Sequence, residues 1–337
     1  MSQSRDLATA HRNAIDTAAA FAALADRLAA RPELGPLAER ARRRSAELAA
    51  DKFTVMVVGE FKRGKSTLLN AMLGQSVLPA KTTPCTAIVT YIRHGATAEV
   101  EVHFNDGRPP EHLPPAEFAR RYELKVADTR IDAGAAGDSV RDRFSSAPSR
   151  LCADGVEFVD TPGLREHDAR TRRVLESLAT ADATIMVLDA QTGLNIDERD
   201  FIDLRLKPLG LHRHVFFVVN RWNLLLESLV DPDDAEAVRR MQEEHLQFIG
   251  ERLLPFAAVA GGDVAAKRIF KVDALGALRL RLKGESGPAL EATEVPAFER
   301  ALSEFLLNDR HRARLDKDGA IADGIEAEAA GLFAGLV

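Results

Sequence analysis

Residues 53–66 read FTVMVVGEFKRGKS, and this stretch decides the fold. Its first six residues form a short apolar run that ends at a glycine, which is typical of a buried parallel strand. Residues 59–66 then match the pattern G-x-x-x-x-G-K-[ST] at every defined position, and residues 67–73 have helical character. A strand, this loop and a helix in that order predict a phosphate-binding loop, in which glycines let successive backbone N–H groups face one anion.

Each part of the loop has a predicted role in binding a nucleoside triphosphate. Lys65 is expected to contact the β- and γ-phosphates, and the hydroxyl of Ser66 is expected to ligate Mg²⁺. The N-terminus of the following helix adds the positive end of its dipole. The nucleotide-binding residues predicted from this segment are Gly59, Glu60, Phe61, Lys62, Arg63, Gly64, Lys65, Ser66 and Thr67.

A second motif, Asp-Thr-Pro-Gly at residues 160–163, follows another apolar strand. An acid at a strand end beside a phosphate loop can hold Mg²⁺ through its water shell, so Asp160 is a candidate metal residue. The backbone N–H of Gly163 can reach a γ-phosphate because no side chain blocks it. This motif after a phosphate loop is typical of regulatory GTPases, whereas an ATPase more often shows a strand that ends in Asp-Glu.

A third motif, Asn-Arg-Trp-Asn at residues 220–223, stands where GTPases carry N-K-x-D. Asn220, Arg221 and Asn223 are the predicted base-contacting residues, with the aliphatic stem of Arg221 laid over the base. An Asp offers two acceptors to the N1–H and 2-amino groups of guanine, but Asn223 offers one acceptor and one donor. One pairing is therefore mismatched, which predicts a weakened preference for guanine. Trp222 is interpreted as a core residue rather than a platform for the base.

Strand and helix patterns alternate through residues 51–287 and predict an α/β domain with a mostly parallel sheet and helices on both faces. Residues 1–50 and 288–337 are predicted to be helical arms that flank this domain. Two further interpretations concern the irregular part of the domain. Residues 87–95 and 98–104 are expected to form a hairpin, and residues 138–145 suggest a helix.

Composition limits the classes of function that the chain can have. The 45 Lys and Arg against 51 Asp and Glu give a net charge of −6, which argues against a nucleic-acid partner. Two cysteines make no disulfide framework, so a reducing compartment is expected. The N-terminus lacks the apolar core of a signal peptide, and no apolar run approaches the roughly 18 to 20 residues that span a bilayer. These observations predict a cytoplasmic location.

Five segments together resemble the GTPase (G) domain of a bacterial dynamin-like protein, a member of the dynamin superfamily of large GTPases. They are GEFKRGKSTLLNAMLG (59–74), VLP (77–79), TPCTA (83–87), DTPGL (160–164) and VVNRW (218–222). The resemblance covers roughly residues 51–285, and the flanking helices support it to a smaller extent. It identifies that domain as a P-loop GTPase domain and the two helical arms as the neck that flanks it.

The resemblance implies several site residues. Thr86 corresponds to the switch-one threonine, which would hold Mg²⁺ and the attacking water. Phe61 and Lys62 stand where many family members carry Gln and Ser, and we hypothesise that Lys62 or Arg63 supplies charge to the transition state when two G domains meet. Residues 220–223 are called the base loop here. Asp273 lies in the last base-contact loop of the family, and it could recover the contact that Asn223 of the base loop loses. The predicted catalytic residues are Lys62, Arg63, Lys65, Thr86 and Gly163, and the predicted metal residues are Ser66, Thr86 and Asp160.

The function that the resemblance implies is hydrolysis of GTP to GDP and phosphate with Mg²⁺. It would be coupled through G-domain homodimerisation and the neck helices to membrane remodelling. The stalk and membrane paddle of the family are expected in regions absent from this chain, which would also make the contact with membrane lipid at the inner face of the cell membrane. A second dynamin-like protein is a further candidate partner. Two alternatives stay open: an Era-like regulatory GTPase, and a catalytically weak, nucleotide-gated assembly module.

Overall fold

The structure is a computed structural model. It describes residues 2–78, 89–104, 106–118, 121, 140–149, 151–152, 155–161, 175, 177–228, 234–257 and 268–334. The strands are β1 Phe53–Val58, β2 Val89–His94, β3 Glu99–Phe104, β4 Glu111–Leu113, β5 Val140–Ala147, β6 Val156–Asp160, β7 Ala183–Asp189, β8 Val215–Asn220 and β9 Ile269–Val272. The helices are α1 Ser2–Ala29, α2 Gly35–Ala49, α3 Lys65–Leu73, α4 Pro115–Phe118, α5 Ile196–Phe201, α6 Ala235–Ala257, α7 Ala274–Leu282, α8 Pro288–Glu291, α9 Val295–Asn308 and α10 Arg310–Ala334.

Within the described residues, nine strands form one sheet in the order β4-β3-β5-β2-β6-β1-β7-β8-β9. Five neighbouring strands of this sheet, β6, β1, β7, β8 and β9, run parallel to one another. All residues of β1, β7 and β8 are buried. Alternate residues of β1 face two separate apolar clusters, with Phe53, Val55 and Val57 in one and Met56 and Val58 in the other. A strand that is buried on both faces must be apolar throughout, which explains the continuous apolar run. The predicted α/β fold is confirmed.

The hairpin expected between β2 and β3 is wrong, and so is the helix suggested at residues 138–145. Residues 140–147 form β5, which inserts between those two strands, parallel to β2 and antiparallel to β3. The segment VRDRFSSA carries little apolar pattern of its own. Its strand conformation comes from pairing on both edges and from the buried Arg143, whose guanidinium donates to the Val77 carbonyl (2.7 Å) and lies over the Phe118 ring.

The helical arms differ in what they cover. Helices α1, α2 and α10 share an apolar cluster of their own, formed by side chains such as Phe21, Leu37 and Ile325. Helix α9 instead packs on the sheet, where Phe305 makes an edge contact with Phe53. The division of the chain at residues 50 and 287 stays a prediction. None of the helices in the described part of the chain is both long and apolar enough to cross a membrane.

A buried ionic cluster connects the arms to the sheet. Asp182, which directly precedes β7, accepts hydrogen bonds from the Thr54 backbone N–H (2.9 Å) and from Arg44 of α2 (3.2 Å), and lies 3.5 Å from the ammonium of Lys317 in α10. Arg44 also donates to Asp318 (2.6 Å). Burial raises the pKa of Asp182, but Lys317 and Arg44 outweigh it, and the net shift is downward. Burial dominates at Lys317 and lowers its pKa to about 8.

We expect Asp182→Asn to lower the free energy of unfolding by about 3–5 kcal/mol, because it leaves two buried cations without their shared anion. Urea titration followed by circular dichroism measures this change. The matched control is Glu39→Gln, which breaks an exposed ion pair with Arg42 and should cost about 0.5 kcal/mol or less. An Asp182→Asn protein as stable as the control would contradict a structural role for the cluster.

Candidate nucleotide-binding site

The phosphate loop connects β1 to α3 at the centre of the sheet. The two glycines of its motif are required because neighbouring atoms leave no room for a side chain. Gly59 has φ of +147°, and a Cβ there would lie 2.4 Å from the carbonyl oxygen of Val187 in β7. Gly64 has φ of +90°, and a Cβ there would lie 2.3 Å from the side-chain nitrogen of Asn220. Any larger residue would push the loop off its neighbours, so the glycine pattern of the sequence has a steric cause.

Lys65 is held against this loop by the backbone. It is 7% exposed, and its ammonium donates to the carbonyl oxygens of Gly59 and Glu60, both at 2.9 Å. A lysine in this position presents its charge to the region that the loop encircles. The geometry fits the predicted phosphate contact.

Ser66 and Asp160 meet beside the lysine. The parallel pairing of β1 with β6 places Asp160 opposite Val57, and the Ser66 hydroxyl donates to Asp160 Oδ2 at 2.6 Å. Burial raises the pKa of Asp160, against the opposing effects of Lys65 and the Ser66 hydrogen bond. Its other oxygen, Oδ1, is buried without a hydrogen-bond partner among the described residues.

These residues fit Mg²⁺. The ion prefers oxygen ligands and is usually bound by one or two carboxylates together with the phosphates of the substrate. The Ser66 hydroxyl and the Oδ1 oxygen of Asp160 supply such ligands. Next to them, Thr161 donates to the Val57 carbonyl (2.8 Å) and fixes the start of the Asp-Thr-Pro-Gly loop. The predicted site residues Thr86 and Gly163 lie outside the described residues.

The two candidate transition-state cations occupy different environments. Arg63 is 8% exposed, and its guanidinium donates to Thr192 (2.6 Å) and Glu60 (2.8 Å) and lies 3.2 Å from Glu198. Lys62 is exposed, with φ of +64° and its ammonium 5.5 Å from the Phe61 ring centroid. Arg63 is thus engaged inside its own domain, whereas Lys62 is accessible to a second molecule. Both catalytic roles stay predictions.

The partners of Arg63 were missed by the sequence reasoning. Asn195 and Glu198 have the three-residue spacing of a capping box, and they form one at the start of α5. The same Glu198 is fully buried, and burial, together with Glu60, raises its pKa against the effect of Arg63. Its capping role was readable from spacing, but its contact with the phosphate loop was not, because 135 positions separate Glu198 from Arg63.

Asn220 joins the phosphate loop to the base loop. Its side-chain amide donates to the Arg63 carbonyl (2.9 Å), and its oxygen accepts from the backbone N–H of Ala274 (3.1 Å). Arg221 has φ of +64° and donates to Asp189 (2.9 Å) and to the Lys62 carbonyl. The interpretation of Trp222 as a core residue is confirmed, since it is 8% exposed within an apolar cluster.

Asn223 and Asp273 lie close to each other in the fold. Asn223 is exposed, and Asp273 caps α7 by accepting from the Gly276 N–H at 2.9 Å. Both line one cavity of about 490 Å³, together with Gln242 of α6 and Lys271 of β9. The structure thus brings together, among the described residues, the predicted phosphate-binding, metal-binding and base-contacting side chains at one edge of the sheet.

We expect Asn220→Ala to weaken GDP binding by about 10-fold or more, because it removes both hydrogen bonds that fix the phosphate loop relative to α7. Isothermal titration calorimetry with GDP measures this loss. Asn308→Ala, at an exposed position on α9, serves as the control and should bind GDP as the unchanged chain does. Equal affinities in the two variants would show that the loops are positioned without Asn220.

Comparisons with known proteins give the following matches. Residues 55–222 match the Dynamin family. The bacterial dynamin-like protein of Nostoc punctiforme is 34% identical over 274 residues, which cover 80% of this chain and 39% of that protein. Human mitofusin-2 is 26% identical over 269 residues, covering 76% of this chain and 33% of its own length. The chain thus spans well under half of these relatives.

Among solved structures, one chain of "An oligomerised bacterial dynamin pair provides a mechanism for the long range sensing and tethering of membranes" has a TM-score of 0.52. At 17% identity it covers 95% of this chain and 47% of its own, and it supports the fold alone. The family match spans the strand before the phosphate loop through to the base loop. The chain therefore belongs to the Dynamin family, whose members are GTPases.

Proposed function

We propose that this chain hydrolyses GTP to GDP and phosphate, with Mg²⁺. The proposal is carried by the contact of Ser66 with Asp160 beside Lys65, where the second oxygen of this buried carboxylate has no hydrogen-bond partner among the described residues. A buried carboxylate oxygen without a partner is costly unless an ion or donor satisfies it. Membership of the Dynamin family supports the same reaction.

The proposed reaction is in-line attack of water on the γ-phosphate. The loop backbone and Lys65 bind and orient the phosphates. Ser66 and Asp160 would hold Mg²⁺, which when bound neutralises charge on the phosphate oxygens. By resemblance, Thr86 positions the attacking water and the Gly163 N–H contacts the γ-phosphate.

We further propose that two G domains meet across their nucleotides and that Lys62 then supplies charge to the transition state of the partner site. Its exposure beside the loop and the engagement of Arg63 by Glu60 and Glu198 favour Lys62 among the two candidates. The matched bacterial dynamin structure is described as an oligomerised pair, which supports self-association and a second dynamin-like protein as candidate partners.

We also propose that this hydrolysis cycle is coupled to membranes. The related pair is described as a mechanism for the sensing and tethering of membranes. In this chain the buried cluster around Asp182 connects the sheet to α2 and α10, which gives the arms a fixed mechanical link to the G domain. We propose that this link relays the nucleotide state to the neck, at the inner face of the cell membrane.

A nucleotide-gated assembly module is the second candidate function. Phe61 favours it, because a phenyl ring cannot orient the attacking water by hydrogen bonding. Such a module would bind GTP and assemble with negligible turnover.

The test is phosphate release from GTP with Mg²⁺ over a wide range of protein concentration, with Lys65→Ala as the blank. We expect the specific activity to rise with protein concentration, since a second molecule completes the site. Lys62→Ala should abolish this rise and lower the maximal rate by about 10³-fold, the lower end of the range for an arginine finger. Its affinity for GDP should stay unchanged.

Two controls make the result interpretable. Lys52→Ala removes an exposed lysine at the start of β1 and should keep the full concentration dependence. Arg63→Ala breaks a buried ion pair and should lower stability and GDP affinity, because its partners lie within the same domain. GTP binding with turnover at the level of the blank, at every concentration, would reject hydrolysis and leave the assembly module.

A further inference from the structure

In the base loop, Asn223 is the residue whose side chain can contact the edge of a purine, because the other three side chains are engaged elsewhere. Both amide atoms of Asn220 are occupied, one by the Arg63 carbonyl and one by the Ala274 N–H. Trp222 is buried in the core, and the guanidinium of Arg221 is directed to Asp189 and the Lys62 carbonyl. Asn223 is exposed beside them.

Asp273 does not replace the carboxylate that the loop lacks. Its Oδ1 accepts the Gly276 N–H at 2.9 Å, and a Cβ built on Gly276 would lie 2.2 Å from its Oδ2. Both oxygens therefore face the first turn of α7. An acceptor that caps a helix in this way satisfies an otherwise orphan backbone donor, and turning it toward a base would expose that donor.

An amide at this position complements a different purine edge from a carboxylate. Guanine presents two donors, its N1–H and 2-amino groups, which require two acceptors. Xanthine presents the N1–H donor beside a 2-oxo acceptor. Asn223 offers one acceptor and one donor, and can satisfy both groups of xanthine at once but only one of guanine. The amide then sets its own N–H against the 2-amino group of guanine.

Two features favour an oxopurine that carries a 2-oxo group. Adenine has no N1–H donor for the acceptor of Asn223, so one atom of the amide is left without a partner on that base. Lys271 lines the same cavity as Asn223, and its ammonium lies 5.8 Å from the Trp222 ring centroid. A positive charge on this side of the loop favours a 2-oxo over a 2-amino substituent.

We propose that Asn223 makes xanthosine triphosphate a substrate of this chain and a better one than GTP. The proposal rests on the hydrolysis proposed above for its catalytic readout, but its binding readout is independent of turnover. Inosine triphosphate, which has no group at the 2-position, should fall between the two because it neither gains the second hydrogen bond nor sets two donors against each other.

The experiment compares kcat/KM for XTP, ITP, GTP and ATP in the unchanged chain and in Asn223→Asp. A bidentate pair discriminates between bases by about 5- to 150-fold, so we expect kcat/KM for XTP to exceed that for GTP by at least about 5-fold. Asn223→Asp should reverse the order in favour of GTP by a similar factor. Asn223→Ala, which removes both partners, should bring the three oxopurines close together.

Calorimetry with XDP and GDP separates the base proposal from the hydrolysis proposal. Tighter binding of XDP, reversed in Asn223→Asp, supports the base proposal even if no triphosphate is hydrolysed. The base proposal would be overturned if the unchanged chain preferred GTP to XTP and Asn223→Asp changed that preference by less than about threefold. The proposal of GTP hydrolysis would then stand. The base proposal would also be overturned if the unchanged chain preferred GTP and Asp273→Asn lost this preference. Asp273 would then be the second acceptor for guanine.

Discussion

The carboxylate of Asp182 is the contact on which the arrangement of sheet and arms depends. It sits just before β7 and bonds the backbone of β1 at Thr54, so it fixes the two strands that carry the phosphate loop and its Gly59 contact. Its other bonds reach α2 and α10, which lie at opposite ends of the chain. A buried charge is costly alone, and the paired cations Arg44 and Lys317 therefore make the position of each segment conditional on the others.

The nucleotide site depends on a second constraint, the close approach of backbones around the loop. Gly59 touches β7 and Gly64 touches Asn220, so the loop is set by the strands on one side of β1 while Asp160 is set by β6 on the other. Asn220 then transmits the same position to α7. The phosphate end of the site is thus built mainly from backbone and from buried side chains.

The sequence allowed prediction of those parts of the fold and site that depend on short-range patterns. The apolar run of β1, the loop glycines and the capping box at Asn195 follow from spacing alone. The pairing of β5 did not, because VRDRFSSA becomes a strand through its neighbours. The contact of Arg63 with Glu198 could not be predicted from the sequence either, because it depends on the chain crossover that brings α5 beside the phosphate loop.

The contrast between the two ends of the site explains how base recognition can differ while the fold is kept. A change at Gly59, Lys65 or Asp160 would alter steric or buried electrostatic contacts, and would destabilise the loop itself. Asn223 is exposed on a short 3₁₀ helix, Trp222–Ser228, that is anchored by the burial of Trp222. Exchanging a carboxylate for an amide there disturbs no packing and changes one donor–acceptor pair. The base edge is therefore where this architecture can change its substrate at the least cost in stability.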